Sequence, residues 1–365
     1  MEAQSAPHER RGDTGCDDRP GAGFEDRRRS QGRASICTGV DLSAQRVAVT
    51  GAGGFIGARV AARLLAGGSS VIGLDIPSAR TSTEATGAQF RACDVTDAAA
   101  VRSGIDGCAA VVHTAAIVGD WGPMADFVRV NVCGTRNVLD AAVTTDARVL
   151  HVSSVAVWGY EFRADIPEDA EPRTCGVPYI DTKSASDVLA RARGATVVRP
   201  GDVYGPGSIP WAVRPLEALQ GRRFALPGHG EGIMTPVYVD DLVDCIVRAL
   251  ADDDAAGMAF TAWDGNPVSA AEFFGHYARM LGRDGVPTLP RPLLEIGLGA
   301  QEVVARITGR PPTASRTALT FVTRRAAYPN SLARERLGWE PQVSLEEGMR
   351  RTEAWFRETG LLPAA

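Results

Sequence analysis

The 365-residue sequence lacks the features that mark several large classes of protein. No stretch approaches the roughly eighteen uninterrupted apolar residues of a membrane-spanning helix, and the N-terminus lacks the basic start and apolar run of a secretory signal. Seven cysteines are scattered without a CxxC pair or a cluster with histidine, so we expect neither a disulfide framework nor a metal site. We therefore expect a cytoplasmic protein without a membrane span.

An excess of positive charge is also missing. Lysine and arginine together number 39 against 44 acidic residues, which gives a formal net charge of -5. A broad basic surface of the kind that holds a phosphate backbone is therefore not expected, and nucleic acid is not an expected partner. A small molecule is the expected partner, and the chain is long enough to bury one large core or two smaller ones.

Residues 1–42 differ in composition from the rest of the chain, with charges of both signs, several glycines and little apolar periodicity. This composition predicts a disordered tail. The segment could be an arm that binds a partner, but a solvated extension is favoured because its acidic and basic residues nearly cancel.

From residue 46 onward, short apolar runs alternate with helical periodicity. The order strand, helix, strand with runs that are apolar throughout predicts a parallel sheet covered by helices on both faces, an α/β fold. The predicted strands lie near Val47–Val49, Val71–Leu74, Phe90–Cys93, Ala110–His113, Val149–Val152 and Thr196–Val198.

A glycine-rich turn, TGAGGFIG at 50–57, follows the first predicted strand. Glycine lets the backbone turn tightly and approach a pyrophosphate, and the next helix directs its N-terminal amides and positive dipole end at that anion. Between a strand and a helix, this spacing is typical of a dinucleotide site and of a Rossmann-type, doubly wound fold. The residues expected to contact the cofactor here are Gly51, Gly54, Phe55, Ile56 and Gly57.

Asp75 ends the second predicted strand, eighteen residues after Gly57. A carboxylate there accepts hydrogen bonds from the adenosine ribose and repels a 2′-phosphate, which favours NAD over NADP. Asp75 could instead begin a turn before Pro77, and Arg80 or Arg59 could accept a phosphate. Asp94, after the third strand, is a candidate for the adenine edge.

The domain prediction follows from this pattern. Residues 43–203 form the cofactor domain, to which 236–262 return, and residues 204–235 and 263–365 form a smaller substrate-binding lobe. In the C-terminal part, Ser344 and Glu347 predict a capping box.

Tyr179 and Lys183 stand four residues apart in a predicted helix and therefore share one face. An ammonium near a phenol stabilises the phenolate and lowers the pKa of the tyrosine, which lets it exchange a proton with an alcohol or ketone. Ser154 follows the fifth strand, where its hydroxyl can bind the substrate oxygen. Their order at the carboxyl ends of parallel strands predicts a catalytic set.

The chain resembles the extended short-chain dehydrogenase/reductases, the NAD-dependent epimerase/dehydratase superfamily. The resemblance implies that Ser154 (rather than Ser153) positions the substrate oxygen, that Tyr179 is the acid/base, and that Lys183 tunes Tyr179 while holding the nicotinamide ribose. It implies NAD as cofactor, with Tyr179 and Lys183 among the residues that contact it. The segments that carry it are TGAGGFIG at 50–57, CDVTD at 93–97, HTAA at 113–116, NVCGTRNVLDAA at 131–142, SSVAVWG at 153–159, YIDTK at 179–183, RPGDVYGPG at 199–207, VYVDD at 237–241 and LGWEP at 337–341. Further cofactor contacts implied by the resemblance are Asp94, Val95, Thr114, Ala115, Ala116, Asn131, Pro200 and Val203.

Departures from the sugar-nucleotide members narrow the expected reaction. Val155 and Ala156 replace the Asp-Glu pair of the dehydratases, so dehydration is not expected. Asp202 and Met234 stand where epimerases carry an asparagine and an arginine, and would repel or ignore a diphosphate.

The segment IVGDWGPMADF at 117–127 instead resembles the branch similar to 3β-hydroxysteroid dehydrogenases. The predicted substrate contacts are therefore an apolar set, although such side chains are equally common in cores. They are Trp121, Val155, Trp158, Trp211 and Met234.

The sequence therefore predicts an NAD(P)-dependent oxidoreductase that interconverts a secondary alcohol and a ketone on a hydrophobic, steroid-like or secondary-metabolite substrate. A nucleotide-sugar epimerase with tightly bound NAD is the alternative. A non-catalytic dinucleotide sensor would not need the three catalytic residues. A homodimer through two long sheet-covering helices is expected, and Asp240 and Asp241 are expected to cap a helix.

Overall fold

The computed structural model describes residues 40–161, 166–312 and 314–363, so the predicted tail at 1–42 lies outside the described residues except for its last three. The described strands are β1 (Arg46–Thr50), β2 (Ser70–Asp75), β3 (Gln89–Ala92), β4 (Ala110–His113), β5 (Arg148–Val152), β6 (Thr196–Pro200), β7 (Asp202–Tyr204), β8 (Leu226–Pro227), β9 (Ile233–Met234), β10 (Pro236–Tyr238), β11 (Ala259–Ala262), β12 (Val268–Ser269) and β13 (Thr288–Leu289).

The helices surround these strands. They are α1 (Phe55–Ala66), α2 (Arg80–Glu84), α3 (Ala98–Ile105), α4 (Met124–Phe127), α5 (Thr135–Thr145), α6 (Pro178–Ala192), α7 (Arg214–Gln220), α8 (Val239–Ala251), α9 (Ala270–Met280), α10 (Arg291–Thr308), α11 (Arg316–Phe321), α12 (Ser331–Leu337) and α13 (Leu345–Glu358). None of the described helices is both long enough and apolar enough to cross a membrane.

Seven strands form one parallel sheet in the order β11-β6-β5-β4-β1-β2-β3. Read from β3, this is the doubly wound order with a seventh strand added beyond β6. All six strands predicted from apolar runs are present, which confirms the α/β fold. The direction in which the chain adds strands to the sheet reverses between β1 and β4. At such a switch point the loops that follow the two strands diverge, which leaves a crevice at the carboxyl ends of the strands.

Alternate residues of β1 enter different cores, as the twofold repeat of a strand requires. Val47 and Val49 pack with side chains of α1 and α8, whereas Ala48 packs with side chains of α3 and α5. Both faces of the sheet are therefore covered, which explains why its strands are apolar at nearly every position.

The C-terminal part of the chain builds a third, aromatic core. Three short strand pairs, β7 with β10, β9 with β12 and β8 with β13, frame it. Its rings meet mostly edge to face, and they include Tyr204, Phe273, Phe274, Tyr277 and Phe356. This core and the sheet belong to one compact unit, so the boundary drawn between the cofactor domain and a substrate lobe stays a prediction.

Helix caps were predicted at the starts of α13 and α8, and only the first is present. At α13 the Ser344 hydroxyl accepts a hydrogen bond from the Glu347 amide, as a capping box requires, but the Glu347 carboxylate binds Arg350 and Arg351. The prediction that Asp240 and Asp241 cap α8 is wrong. They lie in its first turn, and Asp241 accepts hydrogen bonds from the amides at 342 and 343, which fastens the segment before α13.

Candidate active site

Parallel strand pairing brings the predicted site residues to one edge of the sheet. Thr50, at the end of β1, lies beside Leu74 of β2 and His113 of β4, and the register continues through β5 and β6. Ligands of open α/β sheets bind at this edge. The predicted residues at or after these strand ends are Gly51, Asp75, Asp94, Thr114, Ser154 and Pro200.

The glycine-rich turn fits against the loop after β4 with no room for side chains. Gly51 has a φ of +67°, and a Cβ added there would lie 2.9 Å from the Ala115 amide nitrogen. A Cβ on Gly57 would lie 2.1 Å from the Gly51 carbonyl oxygen. Helix α1 then begins at Phe55 without an acidic residue in its first turn, so its positive dipole end is not neutralised. This bare backbone cradle fits a pyrophosphate.

Asp75 is fixed by two backbone amides. One carboxylate oxygen accepts a hydrogen bond of 2.9 Å from the Gly53 amide, and the other accepts one of 2.8 Å from the Ile76 amide. Each oxygen keeps a second lone pair, which suits the donor hydroxyls of a ribose. The side chain is partly exposed at the edge of the crevice, as the prediction requires.

The two arginines considered as phosphate ligands have other partners. Arg59 donates to the Pro206 carbonyl at 2.6 Å and lies 3.4 Å from the Asp240 carboxylate. Arg80 pairs with Glu84 at 2.8 Å. Both guanidinium groups are therefore paired within the protein, and the contact of Asp75 with the cofactor ribose stays a prediction.

The remaining predicted cofactor residues divide by exposure. Asp94 is exposed and binds the backbone and hydroxyl of Thr96, whereas Val95, Pro200 and Val203 are buried behind the edge. Half-buried positions with accessible atoms are Phe55, Ile56, Thr114, Ala115 and Ala116.

Asn131 joins two parts of the site. Its amide group exchanges two hydrogen bonds with the backbone of Ile117 and donates to the Thr182 hydroxyl at 3.1 Å. Because Thr182 lies on α6 and Ile117 on the loop after β4, Asn131 holds that loop against the helix that carries Tyr179. Its direct contact with the cofactor stays a prediction.

Ser154 and Tyr179 meet at the end of β5. The Ser154 hydroxyl accepts a hydrogen bond of 3.1 Å from the Ala156 amide, and a side-chain hydrogen bond joins it to the Tyr179 phenol. Pro178 in the first turn of α6 starts the helix that presents Tyr179. Burial is the main cause that raises the pKa of Tyr179 to about 12. The hydrogen bond with Ser154 lowers this pKa, and the negative charge of Asp120 raises it.

Lys183 is buried one turn further along α6. Its ammonium donates to the Val152 carbonyl oxygen at 2.7 Å, and burial lowers its pKa to about 8 although Asp187 raises it. The expected lowering of the Tyr179 pKa by Lys183 is not seen, because burial acts on both groups and favours the uncharged form of each.

Lys183 is also the only lysine in the sequence, since the other 38 basic residues are arginines. A guanidinium stays charged in proteins, whereas an ammonium is compact and changes its pKa readily when it is buried. The single lysine therefore occupies a position that needs this chemistry. Composition offered this signal, and the sequence analysis missed it.

His113 is structural, as a strand-end histidine usually is. Its ring nitrogens lie 2.7 Å from the Thr50 hydroxyl and 3.0 Å from the Thr135 hydroxyl. Burial, together with the charge of Lys183, lowers the pKa of His113 to about 3. The neutral ring therefore ties β4 to β1 and α5.

Trp158 packs between aromatic and charged side chains. Its ring stacks on Tyr328 at 5.7 Å on one side and meets the Arg199 guanidinium at 4.8 Å on the other. Arg199 binds Asp187 through two nitrogens at 2.7 and 2.9 Å. Trp158 therefore supports the turn behind Ser154, and Val155 is buried in the same cluster.

The charge argument drawn from Asp202 does not hold. Its carboxylate is buried and lies 2.7 Å from the Arg324 guanidinium, which also stacks on Phe321 at 3.8 Å. Asp202 is therefore neutralised by a residue more than a hundred positions away and does not repel a ligand. Met234 is completely buried against the same arginine, at 3.9 Å from its nitrogen.

The wall that faces Tyr179 is aromatic and carries one acid. Tyr160 and Asp120 both lie within electrostatic range of Tyr179. Tyr160 meets Phe321 edge to face at 4.9 Å, and Phe321 lies 4.7 Å from Trp211. Of the five predicted substrate contacts, only Trp121 and Trp211 keep exposed surface beside this wall.

Sequence reasoning missed four residues of this wall. Burial raises the pKa of Asp120, which accepts a hydrogen bond of 3.3 Å from the Ser315 hydroxyl. Asp120 and Tyr160 come from two separate stretches, and Phe321 and Arg324 lie three residues apart in a third, with no common motif. The presence of Asp120 in an otherwise apolar segment, IVGDWG, is the one local signal that could have marked it.

Known proteins resemble the chain over most of its length. A UDP-glucose 4-epimerase of Mycolicibacterium smegmatis is 30% identical over 336 residues, which cover 86% of this chain and 98% of that protein. A 2-alkyl-3-oxoalkanoate reductase of Stenotrophomonas maltophilia is 29% identical, with 85% and 98% covered. A dTDP-glucose 4,6-dehydratase structure from Streptomyces venezuelae with NAD bound is 27% identical with a TM-score of 0.69, and 87% and 98% are covered.

These relatives include epimerases, dehydratases and ketoreductases, so they leave the substrate class open, and the steroid-dehydrogenase-like branch stays a prediction. The sequence profile of the NAD dependent epimerase/dehydratase family matches residues 47–260, which include the glycine-rich turn, Ser154, Tyr179 and Lys183. The predicted cofactor, NAD, is thereby confirmed, and the chain belongs to the NAD-dependent epimerase/dehydratase family.

Proposed function

We propose that this protein interconverts a secondary alcohol and a ketone on a largely apolar substrate, with NAD as the redox partner. The observation that carries the proposal is the aromatic wall of Tyr160, Phe321 and Trp211 beside Tyr179. Aromatic rings contribute large apolar contact areas and bind flat hydrocarbon frames well. The nearby Arg324 is used by Asp202, so its charge is already matched.

The roles of the catalytic residues follow from their contacts. The Ser154 hydroxyl and the Tyr179 phenol are hydrogen-bonded to each other, so a substrate oxygen that enters between them and displaces this bond can receive a hydrogen bond from each hydroxyl. Tyr179 then passes its proton to that oxygen during reduction or takes it during oxidation. NAD, when bound, accepts or supplies the hydride at the substrate carbon.

The pKa values favour one direction near neutral pH. Burial raises the pKa of Tyr179 to about 12, so the phenol keeps its proton and is ready to donate it to a ketone. Oxidation requires the deprotonated phenol, and kcat/KM for oxidation should therefore rise with pH from 7 to 10. Lys183, whose ammonium donates to the Val152 carbonyl oxygen, lies one helical turn after Tyr179 on the same face of α6.

A nucleotide-sugar epimerase is the second candidate. It is supported by the identity to the mycobacterial UDP-glucose 4-epimerase and by Arg324, whose buried Nε has no hydrogen-bond partner among the described residues. A buried donor without a partner is costly, and a ligand oxygen that reached it would remove that cost. The Asp202 carboxylate no longer argues against this candidate.

One experiment separates the two candidates. The purified protein is incubated with NAD and either a panel of apolar secondary alcohols or UDP-sugars, and free NADH is followed by its near-ultraviolet absorbance. NADH formed with an apolar alcohol supports the proposed function. Isomerisation of a UDP-sugar without free NADH, and silence with every alcohol, would replace it with the epimerase.

A further inference from the structure

Helix α10 exposes five of its seven large aliphatic side chains to solvent. The exposed fractions are 54% for Leu293, 72% for Ile296, 53% for Val303, 56% for Val304 and 79% for Ile307. Their spacing of three, seven, one and three residues places them on one face of the helix, together with Gly297 and Ala300. This set of five aliphatic side chains is named the α10 face below.

The opposite side of α10 contacts the protein through the half-buried Leu294 and Leu298 and through small and polar residues. Gly299 and Ala305 are buried, and a Cβ added to Gly299 would lie 2.2 Å from an Arg316 nitrogen. Glu302 accepts a hydrogen bond of 2.8 Å from the Arg316 amide. An ordinary surface helix buries its aliphatic side and exposes its polar side. In α10 the aliphatic side chains divide: Leu294 and Leu298 are half-buried, whereas the five side chains of the α10 face stay exposed, and the contacts of Gly299 and Glu302 with Arg316 keep that face outward.

The charges beside the α10 face are mainly positive. Residues 291–316 contain four arginines and two glutamates, whereas the whole chain has a net charge of -5. Both glutamates are paired, Glu295 with Arg291 at 2.7 Å and Glu302 with Arg316. Arg306 and Arg310 add further positive charge at the end of the helix. The segment therefore complements a negatively charged, apolar surface.

We propose that the α10 face docks on the surface of an anionic lipid bilayer. A helix with an apolar face and flanking arginines is the usual form of a segment that lies in the plane of a membrane interface. From Leu293 to Ile307 the face is roughly 21 Å long at 1.5 Å per residue. Five partly exposed aliphatic side chains offer on the order of 400 Å², about half of the area that each partner of a stable dimer buries. A bilayer needs no matching protein surface.

The docked helix borders the candidate active site. The Arg306 guanidinium lies 6.0 Å from the Trp121 ring, and Trp121 adjoins Asp120, whose carboxylate binds Ser315 beyond the end of α10. Val118 in the same loop is 58% exposed. Docking thus brings the mouth of the crevice to the bilayer, where apolar molecules concentrate. The bilayer would then deliver apolar substrates to the active site. This delivery role rests on the proposed function, whereas bilayer binding does not.

The test is co-sedimentation of the full chain with vesicles of equal parts phosphatidylcholine and phosphatidylglycerol. The variant Ile296→Glu/Ile307→Glu places two acids on the α10 face. The control Ala98→Glu/Ala99→Glu adds the same charge to exposed positions at the start of α3. We expect the wild type and the control to bind, the α10 variant to bind at least tenfold more weakly, and all three to unfold at the same temperature. High salt should weaken binding.

Two results would overturn the proposal. The first is a wild type that stays in the supernatant, or an α10 variant that binds as well as the control. The second is a wild-type dimer by light scattering that the α10 variant makes monomeric without vesicle binding, which would assign the face to a second copy of the chain. If vesicles bind but no apolar alcohol is oxidised, the docking surface stands and only the delivery role fails.

Discussion

The two halves of the candidate active site are built in different ways. The cofactor half consists mainly of backbone from one run, residues 50–57, and the strand ends beside it, fixed by contacts such as that of Asp75 with the Gly53 amide. The substrate half consists of side chains that meet from far apart in the chain, as Asp120 meets Ser315 across 195 residues and Asp202 meets Arg324 across 122.

This difference explains what a sequence reveals about each half. A turn that must be free of side chains leaves glycines at fixed spacing, and such spacing can be read without knowing the fold. A buried ion pair leaves two charged residues in unrelated segments, and neither one indicates its partner. The cofactor half should therefore fail when one local contact is changed, and the substrate half when one member of a distant pair is changed.

The largest effect is expected where the halves meet, at Tyr179. Tyr179→Phe removes the hydroxyl that exchanges the proton and should lower kcat by about 10²- to 10⁴-fold. NAD affinity should stay within about twofold, because the cradle at 51–57 is unchanged. Tyr204→Phe, which removes a buried phenol of the C-terminal core, is the matched control and should keep its kcat. Titration of NAD and steady-state kinetics provide both numbers.

The second-largest effect is expected when the buried ion pair of the substrate half, Asp202 with Arg324, is broken. Arg324→Met leaves the Asp202 carboxylate buried without its partner and should lower the free energy of unfolding by about 3–5 kcal/mol. Arg80→Met, which removes an exposed pair, should cost less than about 1 kcal/mol. The double variant Asp202→Asn/Arg324→Met should recover most of the loss. Urea unfolding of the four proteins measures these values, and equal costs for both arginines would refute the contrast.

A stabilising change is expected at Lys183. Its pKa falls from 10.5 to about 8 on folding, which corresponds to about 3 kcal/mol of unfavourable burial at pH 7. Because the folded state binds fewer protons between pH 8 and 10.5, the stability contribution of Lys183 rises with pH through that window. Lys183→Met should therefore stabilise the cofactor-free protein by about 2 kcal/mol at pH 7, after loss of the bond to Val152.

Lys183→Arg provides the matched comparison. A guanidinium keeps its charge, so this variant should be less stable than the wild type at every pH from 7 to 10. Both variants should lose activity. A Lys183→Met protein that is less stable than the wild type at pH 7 would contradict the buried-charge account of this residue.

The smallest effect is expected on cofactor affinity, when the carboxylate of Asp75 in the cofactor half is changed. Asp75→Asn removes the charge that faces the ribose and can keep only one of the two bonds from backbone amides, because an asparagine side chain has one acceptor oxygen; NAD affinity should therefore fall about tenfold, by about 1.4 kcal/mol. NADP affinity should fall less, because the repulsion of its 2′-phosphate is also removed. Asp97→Asn, at the start of α3, preserves a good helix cap and should change neither. Fluorescence titration with both cofactors measures the ratio.

The fold was largely predictable because its signals are local. Apolar runs located six of the strands in the main sheet, and the spacing of the glycines identified the turn at 50–57. Tyr179 and Lys183 were found because four residues on a helix give one face. The pKa values of Tyr179 and Lys183 could not be predicted, because they depend on how deeply other segments of the folded chain bury the two side chains.

The substrate half was misjudged for the same physical reason. Trp158 and Met234 were predicted to meet substrate as apolar side chains, but Arg199 and Tyr328 cover Trp158, and Arg324 covers Met234. Asp202 was judged by its own charge, without the arginine that neutralises it. Only packing reveals which apolar side chains are left to line a crevice.

The most direct test of the account follows the transferred hydrogen. The protein is supplied with NAD and an apolar secondary alcohol that carries deuterium at the carbinol carbon, and both products are analysed by mass spectrometry. We predict one deuterium in free NADH for each ketone released, and formation of both products slowed by about 10²- to 10⁴-fold with Tyr179→Phe. Deuterium that remains on the substrate carbon, with no free NADH and an inverted centre, would contradict the proposed oxidoreductase and establish an epimerase.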